Sequence, residues 1–380
     1  MGKSARHRRS KKQPSIEQDP PPTAKTNAPV KKKKKTKSKG SRDNSKESPS
    51  VEGVQGSKNR MEWAKNASQM KCRELSKAFI DCVRTYRAPD RAITSSESNP
   101  EKNRYRDVWC LDETRVVLKN NPGGDYIHAN WVRIPTGRDY ICTQAPLDET
   151  IEDFWHMVVQ ELAAVIGMLC EFKESTIQTQ GVFEKSAIYF PRSSGEKLSF
   201  GPYDITNTGF CDDLSAHDGF KISNLLIHHK GKEIHSTKHV MMTSWPDQLA
   251  PIEAAPVLAL WEWLKKNSLR RPIIVHCSAG VGRTSTLVGI ELADYRIAQK
   301  SSTTIVEIVK ELRTYRYQSV QSHIQFLYIH VVLLEHYLSK KIISKDGVEM
   351  KFIEEYRKHV KKKLDKQAAG AAAAKESADD

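Results

Sequence analysis

Apolar positions are nearly absent from the first 60 residues of this 380-residue chain and recur at regular spacing from Met61 onward. A stretch so poor in apolar residues cannot bury enough surface to offset its ordering entropy, so residues 1–60 are expected to form a disordered arm. Beyond it, Leu75, Phe79, Cys82 and Val83 fall on one face of a helix. Short strands are expected over 125–132 and 139–144. A strong amphipathic helix follows, with Ile151, Phe154, Trp155, Val158, Val159 and Leu162 on one stripe and Thr150 with Asp153 as a capping box. The apolar run 164–169 reads as a buried strand. Residues 220–228 and 232–242 read as a hairpin turning at Lys230 and Gly231.

Later in the chain, Val257, Leu260, Trp261 and Leu264 mark a helix, and 272–276 reads as a buried strand leading into a helix from Thr284. Ile305, Ile308, Val309 and Leu312 mark another helix. A last core helix is expected from Ser322 to Leu338. Val348, Phe352, Tyr356, Val360 and Leu364 give one more amphipathic helix, followed by an Ala-rich end expected to fray. Strands and helices mixed in this way imply an α/β domain with a central sheet covered on its faces. The chain thus divides into a basic arm (1–60), a folded α/β domain (61–340) and a C-terminal helix and tail (341–380).

Charge changes this picture only at the arm. The formal net charge is +15, yet residues 1–60 alone hold 18 Lys/Arg against 5 Asp/Glu, so the rest is near neutral. The lysine run 31–39 suits nuclear import or an anionic membrane surface. No aromatics interleave with it, which argues against nucleic-acid binding by base stacking. The seven cysteines form no CxxC pair and no even framework, which fits a reducing compartment. The first residues lack an apolar signal core, Arg6 stands where myristoylation needs Ser or Thr, and no apolar run approaches 18 residues. An intracellular location, cytoplasmic or nuclear, is expected.

The candidate chemistry sits in PIIVHCSAGVGRT over 272–284. A buried strand enters a loop with two glycines, and a helix starts just after. Such a loop turns backbone N–H groups inward and makes an anion cradle at a helix N-terminus. Gly280 and Gly282 permit the close backbone approach it needs. A thiol at its base, Cys277, would sit in that positive field as a candidate nucleophile. Arg283 adds a planar fork matched to two phosphate oxygens. A nucleotide-binding P-loop is excluded because no Lys follows the second glycine, and a dinucleotide fingerprint because Ser285 occupies its third glycine position. A lone cysteine at a strand end is most often a plain buried thiol. The complete HCx5R[ST] string argues otherwise.

With these residues in view, the chain resembles the protein tyrosine phosphatase family, in its non-receptor, phosphotyrosine-specific class. The similarity is carried by HCSAGVGRT (276–284) together with KNRYRD (102–107), DYIHAN (125–130), YICTQAP (140–146), DFW (153–155), YFP (189–191), WPD (245–247) and VQS (320–322), in the family's order. The resemblance implies a single domain with a twisted mixed sheet flanked by helices. It implies that Cys277 attacks phosphorus and that Arg283 and the backbone of Ser278, Ala279, Gly280, Val281 and Gly282 bind the phosphoryl group. Asp247 on a movable loop would be general acid and then base, Gln321 would position water, and Thr284 would assist thiolate departure. Tyr105 would wall the pocket, Asp107 would bind the substrate backbone, and Gln325 would assist or serve as a helix cap. His276 would order the loop, and His239 would be structural. No metal or other cofactor is required, and phosphotyrosine-containing proteins are the expected partners.

Departures from the family pattern are Leu249 two residues after Asp247, Ser285 after the signature Thr, Met242 in place of an aromatic, and a long segment from Glu174 to Tyr189. Glu174 is matched to the carboxylate that braces the signature arginine. Leu249 and Ser285 leave open a catalytically weak or inactive phosphotyrosine-binding module. A dual-specificity or lipid phosphatase is a further alternative, disfavoured by the aromatic wall at Tyr105.

Overall fold

The computed structural model describes residues 51–175, 181–345 and 347–376; the arm expected before Val51 lies outside them, as does part of the segment between Glu174 and Tyr189. In chain order the helices are α1 (Val51–Gln69), α2 (Cys72–Cys82), the short α3 (Thr94–Glu97), α4 (Ile151–Gln160), α5 (Ala255–Asn267), α6 (Arg283–Gln299), α7 (Ile305–Tyr315), α8 (His323–Ser339) and α9 (Val348–Glu376). The strands are β1 (Arg115–Val117), β2 (Tyr126–Ile134), β3 (Arg138–Thr143), β4 (Val165–Met168), β5 (Lys173–Ser175), β6 (Val182–Glu184), β7 (Lys197–Phe200), β8 (Tyr203–Cys211), β9 (Phe220–His229), β10 (Lys232–Met242) and β11 (Ile273–His276).

Among the described residues, nine strands form one mixed, twisted sheet in the order β1-β2-β3-β11-β4-β10-β9-β8-β7. Its centre is parallel: β11 lies between β3 and β4, and β4 pairs with β10. Both flanks are antiparallel meanders. β11 and β4 are short and buried at every position, as apolar runs without alternation require of central parallel strands. β9 and β10 alternate, and their turn places Lys230 at φ 51° and Gly231 at φ 78°, the pair of positive angles that lets a two-residue hairpin follow the strand twist.

The α/β fold and the order of elements agree with the sequence reading; four details do not. Helix α1 begins at Val51, so residues 51–60, expected in the arm, are helical and docked: Asn59 Nδ2 donates to the Ala298 carbonyl at 2.7 Å, and Arg60 pairs with Asp294 at 2.7 Å. The chain does not divide at 340 either. Phe352, Ile353, Tyr356 and Val360 of α9 are buried in the same core as the sheet, and α9 runs through the Ala-rich stretch to Glu376. The box of Thr150 with Asp153 is not formed. The Asp153 carboxylate is taken by Lys102 at 2.9 Å and Asn121 at 2.6 Å, while Thr150 Oγ1 accepts from the Leu147 N–H at 2.9 Å. Leu162, expected on the buried stripe, lies past the end of α4 at φ 53° and is half exposed.

What this frame does for the site is point β11 at it. The strand ends at His276 and delivers Cys277 just beyond it, the chain makes one loop, and α6 begins at Arg283 with every residue to Ala293 buried. Ligands of open sheets with parallel centres bind beyond the carboxyl ends of such strands.

Candidate active site

The loop over 277–282 is tied down from outside by its carbonyls. Ala145 N–H donates to Ser278 O at 2.9 Å, Val320 N–H to Val281 O at 2.8 Å and Thr286 N–H to Gly282 O at 2.9 Å. Arg316 supplies the two bonds between, Nη2 to Ala279 O at 2.8 Å and Nε to Gly280 O at 2.6 Å. With every carbonyl from Ser278 to Gly282 occupied on that side, the N–H groups are what the loop has left to turn inward. Gly280 stands at φ 70°, and a Cβ there would fall 1.9 Å from the Thr143 carbonyl oxygen. A Cβ on Gly282 would meet Gln321 Oε1 at 2.5 Å and Gln325 Nε2 at 3.0 Å. Both glycines are therefore set by close approach, and the second leaves room for Gln321 and Gln325 at the cradle.

Cys277 lies at the base of a pocket of about 450 Å3 whose lining includes Tyr105, Asp107, Asp247, Ser278, Ala279, Arg283 and Gln321. Cys277 is buried, at 3% exposure. Arg283, also buried, holds Glu174 with both ends of its fork, Nη1 to Oε1 at 2.6 Å and Nη2 to Oε2 at 2.9 Å. Burial works against its charge, but the Glu174 carboxylate outweighs that and raises its pKa above the ordinary value. The carboxylate brace inferred for Glu174 is thus present.

Asp247 faces the same pocket. Its Oδ1 accepts from Arg283 Nη2 at 3.1 Å and from the Gln248 N–H at 3.1 Å, and its Oδ2 accepts from Lys185 Nζ at 2.9 Å. Burial alone would raise this carboxyl; Arg283 and Lys185 more than offset it and hold it below the ordinary carboxylate value. Leu249 stands two residues after Asp247 in this loop. It is buried, and its carbonyl accepts from Trp245 Nε1 at 3.1 Å, which closes the loop on itself. Arg283 Nη1 also donates to the Trp245 carbonyl at 3.0 Å, so the loop and the signature arginine meet at two points.

The pocket wall is aromatic and apolar. Tyr105 packs against Val108, Ala279 and Val281. Ser278 Oγ donates to the Lys185 carbonyl at 3.1 Å, which leaves the Tyr105 hydroxyl as donor in its 2.8 Å bond to the same oxygen. Asp107 is exposed at the rim, and its carbonyl accepts from Gln318 Nε2 at 3.1 Å. Gln325, in contrast, is buried and holds the Gln321 N–H through Oε1 at 3.0 Å, while its own N–H is capped by Ser322 Oγ at 3.2 Å. It acts on Gln321 and the start of α8 and does not line the pocket. Thr284 is buried, with no hydrogen-bond partner for its hydroxyl among the described residues. His276 bonds through Nδ1 to the Cys277 carbonyl at 3.1 Å and through Nε2 to the Tyr189 hydroxyl at 2.6 Å, which also meets His239 Nε2 at 2.6 Å. Burial brings His276 down to about 4, so this chain stays neutral.

Residues 99–335 match the family described as protein-tyrosine phosphatase. The chain belongs to the protein-tyrosine phosphatase family. Similar curated proteins include rat tyrosine-protein phosphatase non-receptor type 20, 34% identical over 240 residues that cover 62% of this chain and 54% of that protein. Mouse tyrosine-protein phosphatase non-receptor type 7 is 32% identical over 258 residues, covering 63% of this chain and 68% of that protein. Among solved structures, one described as "Structural basis of PTPN18 fingerprint on distinct HER2 tyrosine phosphorylation sites" superposes with a TM-score of 0.58 at 26% identity, covering 70% of this chain and 92% of that one. The chain spans little more than half the length of the rat relative.

Two residues that brace this pocket escaped the sequence reading, Lys185 on Asp247 and Arg316 on the signature loop. Lys185 lies just after β6 and has no local pattern to mark it. Arg316 was signalled only indirectly, by the polar His128 and Asn130 inside an otherwise buried strand; both are among its acceptors. Ser285, a departure from the family pattern, accepts from Ser319 Oγ at 3.0 Å and is absorbed into the same bracing. Among the described residues no group of three or more His, Cys, Asp or Glu side chains is placed to hold a metal ion, and no helix is long and apolar enough to cross a membrane.

Proposed function

We propose that this protein hydrolyses phosphotyrosine on proteins through a covalent phosphocysteine on Cys277. The observation that carries the reading is the convergence of three groups on one pocket: the Cys277 thiol at its base, the Arg283 fork at its side and the Asp247 carboxyl on the loop above. In the first step the Cys277 thiolate attacks phosphorus and the tyrosine oxygen leaves. Arg283 and the loop N–H groups take up the charge on the phosphoryl oxygens.

Asp247 supplies the proton that the departing phenoxide requires. Without substrate this carboxyl is ion-paired and ionised. The entering phosphate dianion competes for Arg283 and adds negative charge beside Asp247. Both effects raise its pKa, so that it enters the reaction as an acid. In the second step the same carboxylate removes a proton from water held by Gln321, water attacks phosphorus, and the Cys277 sulfur departs. The buried, unpartnered Thr284 hydroxyl supports a role as donor to that sulfur. Tyr105 and its apolar neighbours form a wall for an aromatic ring, which favours phosphotyrosine over phosphoserine. Seven unpaired cysteines fit a reducing, intracellular setting, and the basic arm fits an address to the nucleus or an anionic membrane surface.

Phosphate release from phosphotyrosyl and phosphoseryl peptides, in the presence of chelator, tests this. Turnover of the phosphotyrosyl peptide alone, lost in Cys277→Ser, is expected. An inert wild type whose Cys277→Ser form still binds the peptide would establish a phosphotyrosine-binding module instead.

A further inference from the structure

Helix α9 lies wholly beyond the residues that match the family, yet it reaches the acid loop. Its buried residues Phe352, Ile353, Tyr356 and Val360 anchor it in the core. The Tyr356 hydroxyl donates to the Pro251 carbonyl at 2.8 Å in a buried contact. Pro251 comes four residues after Asp247, at the C-terminal hinge of the loop. Two residues further on, the Glu253 carbonyl accepts from Tyr328 of α8 at 2.8 Å.

The two tyrosines also connect to the loop's other end. Their rings stack, with centroids 5.8 Å apart and planes 27° apart, and the Tyr328 ring meets Trp245 edge-on at 5.6 Å and 75°. Trp245 in turn closes the loop through its bond to Leu249 O. Arg357 adds a polar clamp, bonding Glu253 at 2.5 Å and Glu335 at 2.9 Å. Three aromatic rings in series thus join a C-terminal helix to the loop that carries Asp247, and two phenol O–H groups hold the hinge. Burial keeps both phenols protonated, hence donors.

We propose that Tyr356 is a positioning residue for the acid loop: its bond to the Pro251 carbonyl fixes the C-terminal hinge so that Asp247 reaches the leaving oxygen. An acid loop must move to admit substrate and then return to one geometry. A buried hinge carbonyl without a donor is costly to leave unpaired, so the geometry that keeps Tyr356 bonded is favoured over those that break it. A helix outside the family's own domain thereby sets the efficiency of proton donation. This rests on the reading of Asp247 as general acid.

The test is Tyr356→Phe, which removes one hydroxyl and leaves the ring stack. kcat/KM is measured for phenyl phosphate, whose leaving group needs a proton, and for 2,4-dinitrophenyl phosphate, whose leaving group does not. A roughly fivefold loss is expected for the first, the worth of one neutral hydrogen bond, with less than a twofold change for the second. On an Asp247→Asn background the substitution is expected to add nothing. Equal losses on both substrates, no loss on either, or a full further loss without Asp247 would overturn the proposal. Arg357→Met, which unclamps Glu253 and leaves Tyr356 in place, gives the same pattern if the hinge is what matters and decides the question should Tyr356→Phe not fold. If Asp247→Asn itself shows no leaving-group dependence, the assignment of the acid fails, and that result is distinct from a failure at Tyr356.

Discussion

Two buried arginines serve the signature loop, Arg283 lining the pocket and Arg316 bonding the loop's carbonyls, and they are compensated in opposite ways. Arg283 faces carboxylates: Glu174 takes both ends of its fork and Asp247 takes a third bond. Arg316 faces neutral acceptors, the carbonyls of Ala279 and Gly280, Asn130 Oδ1 at 2.8 Å and His128 Nδ1 at 3.2 Å. The consequences follow from electrostatics. Carboxylates outweigh burial and raise the pKa of Arg283, whereas burial dominates at Arg316 and lowers it. An ion pair such as Arg283 with Asp247 can be exchanged for an incoming phosphate, because one anion replaces another. The bonds of Arg316 are made to the loop itself and have no substitute in a ligand. One arginine is built to trade partners and the other to hold shape.

The comparison breaks most sharply at Arg283. Arg283→Met is expected to lower kcat by roughly 10³-fold, in the range for removal of a preorganised donor to transition-state charge. Arg283→Lys is expected to recover little of it, since an ammonium lacks the planar fork. Steady-state kinetics on a phosphotyrosyl peptide check both. Arg316→Met is expected to act chiefly on stability, by about 3 kcal/mol or more, because it strands several buried acceptors. Its kcat per folded molecule is expected to fall less than that of Arg283→Met. Urea unfolding beside active-site titration separates the two effects, and equal kinetic losses would erase the distinction.

Acid also bears on the holding arginine. His128 must be neutral to accept from Arg316, and burial, with Arg316 beside it, brings it down from 6.5 to about 3. His276 and His330 are brought down by burial to about 4. A histidine whose folded pKa lies below its unfolded value contributes stability that is complete above pH 6.5 and is lost as pH falls through the folded pKa. The urea midpoint is therefore expected to drop steadily from pH 6.5 towards 4, with uptake of more than one proton. His128→Gln is expected to flatten the slope by the share of one. The smallest effect concerns the arm. Removal of residues 1–50 is expected to leave kcat and the melting temperature unchanged, whereas removal of 1–60 also deletes Asn59 and Arg60 and is expected to lower the melting temperature with little change in kcat.

Much of the trading side was legible in the sequence because it is local. Strand, cysteine, glycines and arginine follow one another within a dozen residues, and each reports a physical requirement of an anion cradle. Asp247 and Glu174 came from family resemblance, since a lone carboxylate carries no pattern. The holding side was not legible because its contacts are long-range. Arg316 comes from the end of α7 and binds β2 and the signature loop, and nothing in the spacing around residue 316 announces that. The start of α1 was missed for a related reason. Its docking uses Asn59, Arg60 and the small Gly56 against α6, with no apolar stripe to see. The mistaken box at Thr150 and Asp153 shows a local rule overridden when Lys102 and Asn121 claim the same carboxylate.

The proposed reaction turns on covalent phosphorylation of Cys277. The most direct measurement is rapid acid quench of the enzyme with a phosphotyrosyl peptide, followed by peptide mapping by mass spectrometry. One phosphoryl group is expected on Cys277 at short times, accumulating further in Gln321→Ala, where water attack is impaired, and absent from Cys277→Ser. Turnover with no trapped phosphocysteine in either protein, or phosphoryl transfer that survives Cys277→Ser, would contradict it.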